Sequence, residues 1–241
     1  MNKNLYLSPN FSKKNRSNNK IKFIIIHYTG MQSEIESIKW LTDKRSKVSC
    51  HYLINRKGKI LKIVSETKIA WHAGKSKWKK FKNLNENSLG IELVNKGHKF
   101  GYQNFTNSQI KSLINLCIKL KKKYNINSSN FLGHSDIAPN RKIDPGEKFP
   151  WKRLSKFNLG LWYQSQNLKI NLNNKRKYNI IFFKNLFKIG YRYFHLYKRS
   201  GTDKKVIKAF QRRFCPTNVN GIIDKKTLKI SCFLANKQIK S

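Results

Sequence analysis

Two histidines close apolar runs in this chain. His27 ends Ile21–His27 (IKFIIIH), and His134 ends Phe131–His134 (FLGH). Asp144 follows His134 by ten residues, in the loop GHSDIAPNRKIDPG. Two neutral imidazoles and one carboxylate suit Zn2+ and leave a fourth position for water. Strands aim side chains rigidly while loops admit a ligand, so strand ends are good places for such a set. On spacing alone, a histidine at a strand end is more often structural. Glu92 lies inside the apolar stretch Gly90–Val94 (GIELV), where a carboxylate is costly unless it is paired or put to use. Facing a cleft, burial would raise its pKa and suit it to general base work. On an edge strand it would simply face water. Lys142, two residues before Asp144, could place an ammonium beside a developing oxyanion, but it is one of 52 basic residues. In Trp71-His72-Ala73-Gly74 the small residues permit a ligand to approach the backbone. A tight turn with a half-buried Trp explains the same four residues.

The elements around these residues are legible from periodicity and capping. The β-branched run Ile21–His27 predicts a buried central strand, and Ser88–Asn95 (SLGIELVN) predicts another. Ser33–Leu41 has helical spacing, with Ile35, Ile38 and Leu41 expected on one face. Ser49–Asn55 and Lys59–Val64 flank Arg56-Lys57-Gly58 and predict a hairpin. Thr106 to Gln109 forms a capping-box pattern that opens a helix carrying Ile110, Leu113, Ile114, Cys117, Ile118 and Leu120. Arg141–Trp151 is punctuated by Pro and Gly and predicts a loop. Strands and helices alternate up to residue 158, and only helical spacing follows residue 177. The expected class is therefore α/β, with a mixed β-sheet flanked by helices and a small C-terminal helical domain. The expected division is a flexible arm over 1–20, a main domain over 21–158, a linker over 159–177 and a helical domain over 178–241.

The formal charge is +41, with 52 Lys and Arg against 11 Asp and Glu. That balance suits a polyanionic partner, and a general bias toward Lys, Asn and Ile codons would produce it equally well. The cysteines, Cys50, Cys117, Cys215 and Cys232, form no C-x-x-C pair, which argues against a four-cysteine metal site. A Cys215–Cys232 bridge is open on spacing. No apolar run reaches the length of a signal peptide or a membrane span, so no integral membrane segment and no standard export route are expected.

Five blocks carry a resemblance: IIIHYTG (24–30), VSCHYLINRKGKI (48–60), AWHAG (70–74), NSLGIELVN (87–95) and GHSDIAPNRKIDPGEKFPW (133–151). In this order they resemble the N-acetylmuramoyl-L-alanine amidase family of type 2, related to peptidoglycan recognition proteins, and within it the bacterial AmpD/AmiD-like branch. The resemblance implies a zinc hydrolase acting on the amide between N-acetylmuramoyl or anhydromuramoyl residues and L-alanine. It implies His27, His134 and Asp144 as ligands of one zinc ion, Glu92 as the catalytic acid/base and Lys142 as the oxyanion stabiliser. Trp71 and His72 resemble residues lining the substrate groove, and His51 resembles a structural or supporting position. Some relatives carry a Tyr near the place of Cys50, so a Tyr-assisted mechanism is in doubt here.

The segment 206–229 resembles a type 1 peptidoglycan-binding domain through Ala209-Phe210-Gln211, Gly221-Ile222-Ile223-Asp224 and Thr227-Leu228, although Lys225 replaces the usual Gly. A helical cap on the main domain is the alternative. The expected partners are peptidoglycan or muropeptides, with no nucleic acid and a monomeric chain. A wall-binding tail points to the cell envelope or periplasm, the cytoplasm being the alternative. A non-catalytic recognition protein is the rival function, and recognition members of the superfamily lose metal ligands.

Overall fold

The computed structural model describes residues 8–164 and 178–239. In chain order the elements are β1 (Phe11–Asn15), β2 (Phe23–Tyr28), α1 (Glu34–Thr42), β3 (Tyr52–Ile54), β4 (Ile60–Lys62), β5 (Lys68–Ala70), β6 (Lys77–Trp78), β7 (Phe81–Lys82) and β8 (Ser88–Leu93). There follow α2 (Asn107–Tyr124), β9 (Phe131–Gly133), α3 (His134–Ile137), α4 (Trp151–Ser155), α5 (Tyr178–Ile189), α6 (Asp203–Phe214) and α7 (Lys225–Ile239).

The apolar runs become the middle of a five-stranded mixed sheet in the order β4-β3-β8-β2-β9. β3, β8, β2 and β9 run parallel, and β4 is the antiparallel edge contributed by the expected hairpin. Parallel strands are covered on both faces, which is why FIIIHY and SLGIEL are almost entirely buried rather than alternating. α2 supplies the long crossover from β8 to β9. Its Thr106/Gln109 capping box forms as the sequence predicts, and Ile110, Leu113, Ile114, Cys117 and Leu120 face inward. Lys121, Lys122 and Lys123 occupy its last turn, where cations suit the helix dipole.

Three expectations are corrected. In α1 the buried residues are Ser37 and Leu41, with Ile38 half-buried beside them, while Ile35 is 67% exposed. At 3.6 residues per turn, positions six apart lie about 120° round the helix, so Ile35 and Leu41 cannot share a narrow face. The second correction concerns the arm over 1–20. Residues 1–7 lie outside the described residues, but Phe11–Asn15 pairs antiparallel with β5, Phe11 opposite Ala70. Arg16 is buried and donates to the carbonyls of Glu66, Asn85 and Ser88. A guanidinium with that many acceptors locks the segment to the domain.

Third, the C-terminal helices are mostly helical as expected, yet they are not set apart. Phe182, Phe210 and Leu228 share one buried cluster with Phe23, Ile25 and Leu132 of the sheet. Of the expected linker, 165–177 lies outside the described residues, while Leu159 is buried and Trp162 packs on Phe214. The residues that resemble the binding domain brace one another. Gln211 Oε1 accepts from Gly221 N at 2.7 Å, and its Nε2 donates to Ile222 O at 2.9 Å. Asp224 Oδ1 accepts from Thr227 N at 2.7 Å at the start of α7. No helix among the described residues is long and apolar enough to cross a membrane. All four cysteines are free.

A buried polar knot joins tail and sheet. Arg213 Nη1 donates to Asp136 Oδ2 at 2.6 Å, and Arg213 Nη2 donates to Phe131 O at 3.0 Å. Tyr191 Oη donates to Asp136 Oδ1 at 2.5 Å, and Gly133 N donates to Asp136 Oδ2 at 2.8 Å. The Arg213 guanidinium also covers the Trp151 ring at 4.0 Å. Removing one partner of such a pair strands a buried charge, at a cost of about 3–5 kcal/mol. Arg213→Met should lose that much in denaturant unfolding, and Arg213→Met combined with Asp136→Asn should regain part of it. An unchanged midpoint for the single variant would show that the pair is not needed.

Candidate active site and metal centre

The sheet register assembles the site. Neighbouring parallel strands place His27 opposite Glu92, and Ile26 opposite Gly133. The residue after Gly133 is His134, which the structure places as the first residue of α3 rather than the last of a strand. Asp144 comes back to this point through the expected loop, whose Asp144 carbonyl accepts from Ser135 N at 2.9 Å.

The three donor atoms form a near-equilateral triangle. His27 Nδ1 is 3.0 Å from His134 Nδ1 and 3.0 Å from Asp144 Oδ2, and His134 Nδ1 is 3.1 Å from Asp144 Oδ2. Bonds of about 2.0–2.2 Å at tetrahedral angles ask for ligand atoms roughly 3.3 Å apart, so the triangle fits one face of a four-coordinate site. All three residues are buried. Burial pushes His27 down to about 4, helped by His134 and opposed by Asp144, so the ring is neutral and its lone pair is free to bind a cation. Burial alone would raise Asp144. The two imidazoles, His134 first, outweigh it and hold the carboxyl well below the usual range.

Glu92 shares the cleft and is 8% exposed. Burial raises its pKa to about 8, with the Asp144 charge adding to the rise and Lys142 opposing it. Its Oε2 is buried and has no hydrogen-bond partner among the described residues, which sets it apart from most buried polar atoms. Lys142, half-buried, lines the same cleft.

Of the two expected groove residues, His72 borders this cleft and Trp71 does not. His72 is only 6% exposed, and its Nδ1 lies 3.1 Å from His27 Nε2, so it stands behind His27 rather than on an open groove wall. Trp71 lies outside the lining of the cleft. The aromatic wall is instead built from Tyr28, Trp40 and His98, in a cavity of about 630 Å³. Tyr28 Oη lies 2.9 Å from His98 Nδ1, and His98 Nε2 lies 3.2 Å from Glu147. Tyr28 is visible in the first block beside His27, whereas nothing in the local sequence marks Trp40 or His98. His51 is buried away from the triangle, its Nδ1 accepting from Gly90 N at 3.0 Å, which suits a supporting position.

A carboxyl whose pKa rises on folding resists ionising in the folded state. Its burden on stability is absent below the ordinary range near 4.5, grows as pH rises, and levels off above about 8. The metal-free Glu92→Gln variant should therefore be more stable than the parent, by a margin that widens from pH 4.5 to 8. Thermal melts across that range check this, and a margin independent of pH would contradict it.

The sequence profile of the family described as N-acetylmuramoyl-L-alanine amidase matches residues 17–147. The chain is 36% identical over 233 residues to the N-acetylmuramoyl-L-alanine amidase AmiD of Escherichia coli K12, covering 90% of this chain and 83% of that protein. It is 33% identical over 164 residues to the 1,6-anhydro-N-acetylmuramyl-L-alanine amidase AmpD of Haemophilus influenzae, covering 61% of this chain and 86% of that protein. Escherichia coli AmiD in complex with anhydro-N-acetylmuramic acid-L-Ala-D-gamma-Glu-L-Lys superposes with a TM-score of 0.80 at 32% identity, covering 94% of this chain and 93% of that one. AMPDH3 of Pseudomonas aeruginosa in complex with anhydromuramic pentapeptide superposes with a TM-score of 0.81 at 29% identity, covering 94% of each chain.

Proposed function

The chain belongs to the N-acetylmuramoyl-L-alanine amidase family, and we propose that it hydrolyses the amide between a muramoyl or anhydromuramoyl lactyl group and L-alanine with one zinc ion held by His27, His134 and Asp144. One observation carries this reading. The donor triangle and the unpartnered Oε2 of Glu92 lie in one cleft. When bound, zinc supplies a Lewis acid that brings the pKa of water down to roughly 7 and polarises a carbonyl.

The chain's own residues supply the rest. Glu92 takes a proton from the attacking water on its unpaired oxygen and returns it to the leaving nitrogen. Its pKa of about 8 without metal is drawn toward neutrality by a cation at the neighbouring triangle, which favours the ionised form. Lys142 presents an ammonium to the oxygen that gains charge. Tyr28, with its phenol held protonated by burial, and Trp40 wall the cleft and restrict water around the reacting amide. A recognition protein would have no use for an ionisable carboxylate kept buried and unpaired beside a complete ligand set.

Muropeptide digests read by mass spectrometry test the reaction. Free stem peptide should appear with zinc and vanish with chelator, and metal analysis should find about one zinc per chain. Glu92→Gln should cut turnover by roughly 10²–10⁴ without losing zinc. Lys142→Ala should cost about 3–4 kcal/mol in the barrier, the size expected for one oxyanion donor. Full hydrolysis by a zinc-free preparation, or by Glu92→Gln, would remove the proposed mechanism.

A further inference from the structure

A histidine that binds a metal through Nδ1 must carry its hydrogen on Nε2. For His27 that outer nitrogen lies 3.1 Å from His72 Nδ1. The opposite nitrogen of His72 lies 3.2 Å from Ser88 Oγ, and Ser88 Oγ lies 2.5 Å from the carbonyl oxygen of Leu84. A carbonyl has no hydrogen to give, and two oxygens at that distance repel unless a hydrogen lies between them. The direction of the chain is thereby set from its far end. Ser88 Oγ–H donates to Leu84, and His72 Nε2–H donates to Ser88. His72 Nδ1 keeps a lone pair and accepts from His27 Nε2–H. His27 Nδ1 is left bare, 3.0 Å from Asp144 Oδ2 and His134 Nδ1.

We propose that His72 and Ser88 are positioning residues that fix the tautomer and ring orientation of His27 for the metal, and that the turn carrying His72 does the same for His134 through its backbone. This rests on the metal reading above. The next residue of the turn, Ala73, offers its carbonyl to His134 Nε2 at 3.1 Å, which leaves His134 Nδ1 bare as well. The turn is itself pinned, because Asn85 Oδ1 accepts from both His72 N, at 3.1 Å, and Ala73 N, at 2.7 Å. One turn of AWHAG thus offers an acceptor to the outer nitrogen of both imidazoles, nearer to His134 Nε2 than Arg141 Nη2, a donor at 3.3 Å that is bonded to the same Ala73 carbonyl.

The surroundings leave the chain no competitor. His27, His72 and Ser88 are all buried. Each ring nitrogen of His72 meets one partner, Nδ1 facing His27 and Nε2 facing Ser88. The ring also has a dedicated slot. A Cβ on Gly90 would come within 2.4 Å of His72 Cγ, so glycine on β8 is what lets the imidazole lie against the strand that carries Glu92. Supporting groups of this kind are worth about 10–100-fold in metal affinity.

Histidine nitrogen NMR of the full-length zinc-loaded protein tests the direction of the chain, and competition with a chromogenic chelator tests its purpose. His72 should be neutral with its hydrogen on Nε2 at neutral pH. His72→Phe should bind zinc roughly 10–100-fold more weakly. His72→Asn, whose Oδ1 can accept from His27, should recover part of that loss. Ser88→Ala should weaken zinc binding less and should leave His72 in a mixture of tautomers. Muropeptide hydrolysis is read separately, so an inactive protein with the expected His72 signature would count against the proposed reaction and not against the chain. His72 carrying its hydrogen on Nδ1 would overturn the inference in the parent protein without any variant. A folded His72→Phe with unchanged zinc affinity would overturn it too.

Discussion

The cleft depends on the parallel alignment of β2 with β8 on one side and β9 on the other. Parallel strands end together, and the register brings His27, Glu92 and the start of α3 to one level at their carboxyl ends. Below that level both faces are covered and the strands are apolar of necessity. Above it the chain turns into loops, so polar side chains can converge without crossing the core. Ligands of open α/β sheets generally bind at this end of the strands. Here it gathers His27, His134 and Asp144, the proposed metal ligands, from β2, α3 and the loop that follows.

The C-terminal helices act on the same end of the sheet from behind. Asp136 lies two residues after His134, and its carboxylate is shared by Arg213, Tyr191 and the Gly133 amide. A segment that resembles a wall-binding module is therefore part of the frame beneath His134. Burying Phe210 and Phe182 against Phe23 and Leu132 gives the contact an apolar body, and the buried pair gives it one register. The frame uses the inward face of α6, while Lys204 and Lys205 lie exposed on its other side.

Much of this was legible in sequence because it is local. The apolar runs, the capping box and the hairpin each signal through neighbouring residues, Glu92 stands out because acids are few, and His27, His134 and Asp144 were singled out by the order of the five blocks. What escaped depends on partners far along the chain. Arg16 looks like one more solvated cation among 52, yet its acceptors lie 50 to 72 residues away. The arm pairs with β5, which no feature of the arm announces. His72 was recognisable as part of the site, but its role turns on Ser88 and Gly90, which lie on another strand. Trp71 and Trp40 are both partly exposed aromatics, and only the packing of α1 against the sheet decides which of them faces the cleft.

The free cysteines have a consequence of their own. Cys50, Cys117 and Cys215 are buried, and Cys232 is half-buried. Burial raises every one of these thiols, Cys215 to about 11 and the others in the same direction. A thiol kept protonated is a poor nucleophile and a poor metal ligand. These sulfurs form no cross-links, and none belongs to the His27, His134 and Asp144 triangle. The described fold thus stands without a disulfide, on apolar packing and buried polar pairs alone.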